Sequence, residues 1–119
     1  MRAFLKLNKR RLLKMKIPVL YETENILVED KVIYMKYEIE RIGFFWLIAE
    51  LDEKQGLAFG YANLNDPMCA EWGYIDLGDL KANGAEEVEN WIPKKFSECM
   101  KAEKEERKAE LWLRSLMSR

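Results

Sequence analysis

The sequence contains no histidine, three serines (Ser97, Ser115, Ser118) and a single threonine, Thr23. Without imidazole, Ser-His and Cys-His catalysis, His-ligated zinc and most general acid–base designs are excluded. No glycine-rich loop precedes a helix, so neither a Walker site nor a dinucleotide site is encoded. Ordinary hydrolase, kinase and dehydrogenase chemistries therefore lack their residues, and the expectation is no catalytic group and no cofactor. Cysteine is scarce too. Cys69 and Cys99 have no CxxC spacing, which predicts two reduced thiols in a cytoplasmic protein rather than a disulfide framework. The longest apolar run, Gly43 to Ala49, is far too short to cross a bilayer, so no membrane partner is expected. Lys6, Asn8 and Lys9 interrupt the basic N-terminus before an apolar core can form, so no signal peptide is read there.

What is present is charge, unevenly spread. Residues 1–16 carry seven Lys/Arg and no acid, whereas residues 17–100 carry seventeen Asp/Glu against seven Lys/Arg. A net charge of −1 thus conceals a basic arm on an acidic body, and local charge decides which partners a protein meets. Hydrophobic residues make up 49% of the chain, enough for a folded domain rather than a disordered one. A length of 119 residues fits one domain. It divides into a basic N-terminal segment (1–16), a strand-rich core (17–92) and a C-terminal helix (93–119). Glu and Lys account for 29 residues against one glutamine, a composition that leans toward a thermophile, while six Met and six Asn pull the other way.

The expected fold is α+β: a small antiparallel sheet of four to five strands, a short N-terminal helix and a long C-terminal helix. Asn8 suits the N-cap of a helix from Lys9 to about Met15, and Pro18 stops it. Val19 to Asp30 reads as an irregular connector. Lys31 to Glu40 alternates Ile33, Met35, Tyr37 and Ile39 with polar residues, the period of a half-buried strand. Phe44 to Leu51 is apolar on both faces until Glu50 and reads as a central strand. A hairpin loop at 52–56 leads to a third strand, Leu57 to Ala62, where Gly60 suits a bulge or close packing. After a loop from Asn63 to Cys69, a fourth strand spans Glu71 to Asp76. Asp76 or Gly78 caps one helical turn through Asp79 to Ala82, closed by Gly84. Glu86 to Ile92 reads as an edge strand defended by its acids. Pro93 suits the first position of a helix running to about Met117.

Two stretches carry a family likeness. One is Ile17-Pro18-Val19-Leu20-Tyr21-Glu22-Thr23-Glu24-Asn25, followed by Val28 to Tyr37. The other joins Gly56-Leu57-Ala58-Phe59-Gly60-Tyr61 to Trp72-Gly73-Tyr74-Ile75-Asp76-Leu77-Gly78-Asp79-Leu80. Over residues 9–92 the chain resembles the domain-of-unknown-function family 2958, with its P-x-L-Y-x-T-E opening and G-L-x-F-G strand. The resemblance implies a small intracellular α+β protein of the kind carried on mobile elements, and it implies no activity. The helix after Pro93 and the pattern of Asn63 to Ala70 depart from that family.

Four groups of residues stand out as candidate sites. Glu50 and Asp52 at one strand end, with Asp76 and Asp79 at another, are the carboxylates that could converge on Mg²⁺ as in a nuclease. Turn and cap preferences explain each acid separately, so no metal site is assigned. Tyr21-Glu22-Thr23-Glu24 is either a binding loop or a core-anchored turn. Phe44, Phe45, Trp46, Phe59, Trp72 and Tyr74 are either a base-stacking platform or core, and the acidic surroundings favour core. The remaining candidates are partner surfaces: the basic arm, through Lys9, Arg10, Arg11 and Lys14, and the apolar end of the C-terminal helix, through Leu111, Trp112, Leu113, Leu116 and Met117. The arm either folds onto the acidic body or meets an anionic partner such as nucleic acid. The function expected is a non-enzymatic binding or regulatory module that engages a protein or nucleic-acid partner through charged surfaces, or a second copy of itself; the alternative is a metal-dependent enzyme acting on nucleic acid through the clustered carboxylates.

Overall fold

The computed structural model describes residues 16–118. The expected N-terminal helix from Lys9 to Met15 lies outside them. A five-stranded antiparallel sheet has the spatial order β5-β4-β3-β2-β6, built from β2 (Met35–Ile39), β3 (Phe44–Asp52), β4 (Leu57–Leu64), β5 (Glu71–Asp76) and β6 (Glu86–Glu87). A second, two-stranded pairing joins β1 (Val32–Ile33) to β7 (Lys94–Lys95). A short helix, Leu77–Ala82, follows β5, and a 22-residue helix, Phe96–Met117, ends the described chain.

The sheet buries both faces. In β3, Trp46 and Ile48 join Met35, Tyr37, Ala58, Ile75 and the short helix's Leu77 and Leu80 in one core. Leu47 and Ala49 point the other way and join Ile33, Tyr61 and Cys99 in a second core, against which Phe45, Trp72, Trp91, Phe96 and Met100 pack. This is the two-sided burial that the continuous apolar run of β3 predicts. Phe96, Cys99, Met100 and Glu103 fall at helical spacing on the side of the long helix that meets the sheet. Further along, Arg107 reaches back, donating to the Asn65 side chain at 3.1 Å.

Four expectations are corrected. The strand read from Lys31 to Glu40 is broken at Tyr34, because Val32 and Ile33 leave the sheet to pair with Lys95 and Lys94. The break moves Ile33 into the helix-side core, away from Met35 and Tyr37. Lys36 is buried instead of solvated; it pairs with Glu103 of the long helix and lies over the Phe45 ring. The edge strand read over Glu86–Ile92 shrinks to Glu86–Glu87, since the chain then crosses to the helix side, where the Trp91 indole donates to the Ile33 carbonyl at 2.9 Å. Pro93 does not open the helix. β7 intervenes, and the helix begins at Phe96, whose N–H donates to the Lys31 carbonyl at 2.8 Å.

The two thiols sit in different surroundings. Burial pushes Cys99 from its ordinary 9.0 up to about 11, while exposed Cys69 is raised by a hydrogen bond with Asp66 and by the charge of Asp66. The thiolate is the reactive species, so both should react slowly. Alkylation in mildly alkaline buffer, below the ordinary thiol value of 9.0, is expected to modify Cys69 more slowly than a free cysteine and to reach Cys99 only on unfolding; mass spectrometry reads both. Because the folded-state pKa of Cys99 is raised, its contribution to stability is full below pH 9.0 and is lost as pH rises through about 11.

Candidate functional site

A β-bulge creates the most distinctive feature of the molecule. Ile48 pairs with Gly60 and Glu50 with Phe59, leaving Ala49 as the extra residue. Strict alternation would put Glu50 on the face of Trp46 and Ile48. The bulge turns it to the opposite face, alongside its neighbours Phe59 and Tyr74 in the pairing register. There Glu50 is 97% buried by its 3% exposure, and a carboxylate so placed needs donors.

The connector supplies them. The Leu51 N–H donates to the Pro18 carbonyl at 2.9 Å, which lays the chain beside the end of β3. Tyr21 then turns with φ 72°, a left-handed conformation that is uncommon for a tyrosine. The turn aims two backbone N–H groups at Glu50: Tyr21 donates to Oε1 at 2.7 Å and Thr23 to Oε2 at 3.0 Å. The Thr23 hydroxyl also donates to Oε2. Lys31, buried just before β1, donates from Nζ to the Thr23 carbonyl and to Thr23 Oγ1, the latter at 2.9 Å. Thr23, the chain's single threonine, thus bridges a buried ammonium and a buried carboxylate.

Beside this network lies a cavity of about 250 Å³ lined by Tyr21, Glu24, Lys31, Glu50, Phe59 and Tyr74. Tyr21 and Tyr74 form its exposed rim. The Tyr74 hydroxyl is held above its ordinary pKa, first by its hydrogen bond with Tyr21, then by desolvation and by the charges of Tyr21, Glu50 and Glu24.

The four candidate carboxylates do not converge. Glu50 is bound by the connector, Asp52 accepts from the N–H groups of Lys54 and Gln55 in the hairpin loop, and Asp76 caps the short helix by accepting from the Asp79 N–H at 3.1 Å. Among the described residues, no three His, Cys, Asp or Glu side chains form a group that could hold a metal ion. The aromatic residues split between faces: Phe44 and Trp46 belong to one core, Phe45 and Trp72 to the other, and Phe59 and Tyr74 border the cavity. Lys9, Arg10, Arg11 and Lys14 lie outside the described residues. Leu111, Trp112, Leu113, Leu116 and Met117 are all exposed, Trp112 at 65%. Sequence reasoning singled out Glu50 and the Tyr21–Glu24 loop separately; it missed their union and the part of Lys31. A lysine opening a strand carries no local signal of burial.

No helix among the described residues is long and apolar enough to cross a membrane. No family model, curated protein or solved structure matches the chain.

Proposed function

We propose that the protein is a non-enzymatic binding module that engages protein partners, and that the apolar end of its C-terminal helix docks against a second copy of the chain. The observation that carries this reading is the exposure of Leu111, Trp112, Leu113, Leu116 and Met117 at the far end of a helix whose core-packing residues, Phe96, Cys99 and Met100, lie in its first turns. A cluster of large apolar side chains left in water is costly and marks an interaction surface. The helix leading to it favours self-association. Residues 101–110 carry four Lys/Arg and four Asp/Glu, so two such segments meet without the repulsion that two acidic bodies would feel. The motif resemblance to family 2958 brings no activity and adds none to this reading.

Trp112→Asp tests it. A buried tryptophan at a helix contact is worth about 2 kcal/mol or more, so the variant should dissociate about thirtyfold more readily, and light scattering should show the wild-type dimer falling to monomer. A monomeric wild type at all concentrations would sink the self-docking. Nucleic-acid binding that falls steeply with salt, and less steeply after Lys9, Arg10 and Arg11 are changed to alanine, would instead move the functional surface to the basic arm.

A further inference from the structure

We propose that the cavity between Tyr21, Phe59 and Tyr74 is a cage for a methylated ammonium group, the head of an organic cation such as a quaternary amine. Three aromatic rings line one space. Tyr21 and Tyr74 have centroids 6.2 Å apart at an interplanar angle of 64°, and Phe59 and Tyr74 are 5.6 Å apart at 66°. Rings set at steep angles form walls rather than a flat stack. Such walls attract a cation through their negative faces, and most strongly where water is excluded.

The polar groups select charge. Glu24 and Glu50 contribute two carboxylates to the lining, and Lys31 contributes one ammonium. Lys31 is turned toward Thr23, to which it gives two hydrogen bonds, so the lining keeps an excess of negative charge. A carboxylate offers about four acceptor positions. Glu50 uses three of them on Tyr21 and Thr23, two at Oε2 and one at Oε1, which leaves Oε1 with room to face an occupant. The raised pKa of Tyr74 reports the same field, since both Glu50 and Glu24 contribute to it. A methylated ammonium needs aromatic contact and negative charge but few hydrogen bonds, and this lining supplies that combination. An anionic ligand would meet two carboxylates, and a neutral apolar one would leave them uncompensated.

The test is a titration of the full chain followed by amide NMR. Tetramethylammonium and choline should produce saturable shifts at Tyr21, Thr23 and Tyr74, with Kd of about 1 mM or below. The neutral choline isostere 3,3-dimethylbutanol should bind at least tenfold more weakly, because it keeps the shape and loses the charge. Glu24→Gln and Tyr74→Leu alter exposed side chains and leave the fold intact by circular dichroism; each should weaken choline binding about tenfold, Tyr74→Leu through the loss of one cation–π contact and Glu24→Gln through the loss of one attracting charge. A trimethyllysine peptide in a parallel titration distinguishes a side-chain source from a free small molecule, and tighter binding of either one supports the cage. Equal affinity for the neutral isostere, failure to saturate, or binding of acetate in place of the cations overturns the proposal.

Discussion

Glu50→Ala is expected to lower the melting temperature by more than 10 °C, the largest loss among substitutions that leave the backbone path open. The side chain accepts hydrogen bonds from the Tyr21 and Thr23 N–H groups and from the Thr23 hydroxyl. Removing it leaves these donors without their acceptor and leaves Lys31, a residue only 6% exposed, without the carboxylate that Thr23 links to it. Each buried donor left without an acceptor costs about 1–3 kcal/mol, and a domain of this size loses roughly 4 °C per kcal/mol. Glu50→Gln should lose less. Its amide keeps the volume and one acceptor oxygen, but its NH₂ group must face a backbone donor. The double substitution Glu50→Gln with Lys31→Met should be less damaging than the sum of the two single changes, because it removes both charges from the interior. Thermal melts of the four proteins check this. Strict additivity would mean that Thr23 does not couple the two charges.

The reason this network was only half legible is one of range. Local features were readable wherever a short pattern has a local cause. β5 starts and ends where the turn residues on either side place it, at Glu71 and Asp76. Asp76 caps the short helix as an aspartate before a helical turn should. The hairpin loop after Asp52 closes with Gly56 at φ 65°, the conformation a glycine supplies at least cost. The Glu50 site has no such signature. Its donors stand 27 and 29 residues away from the carboxylate, and its orientation depends on a bulge set by pairing with another strand. Alternation along β3 alone predicts the wrong face for Glu50. The same limit hid the break at Tyr34: the alternating pattern from Ile33 to Ile39 is equally compatible with an unbroken strand. Only the arrival of Lys94 and Lys95 draws Val32 and Ile33 away.

Gly60→Ala is the second substitution of large expected effect, and it probes the bulge itself. Gly60 lies opposite Ile48 on one side and Gly73 on the other, at the point where β3 takes in its extra residue. A Cβ built at Gly60 would stand 2.0 Å from the Leu47 carbonyl oxygen, 3.0 Å from its carbon and 3.1 Å from the Ile48 Cα. All three are backbone atoms of the neighbouring strand, so no rotamer change relieves the contact. Gly60 is buried, and a methyl group there must either push β3 and β4 apart or unmake the bulge. Separating the strands sacrifices hydrogen bonds at the centre of the sheet. Unmaking the bulge returns Glu50 to the face of Trp46 and Ile48, where the connector's donors cannot reach it. Overpacking in a core costs about 1–3 kcal/mol and sometimes more, and a clash with fixed backbone belongs at or beyond the upper end. The variant should therefore melt at least 10 °C below wild type or fail to accumulate as folded protein. Gly73→Ala, in the next strand and with nothing within 4 Å of its added Cβ, serves as the control and should melt within a few degrees of wild type. If Gly60→Ala melts alongside Gly73→Ala, the close approach of β4 to β3 is not what holds Glu50 on the cavity side.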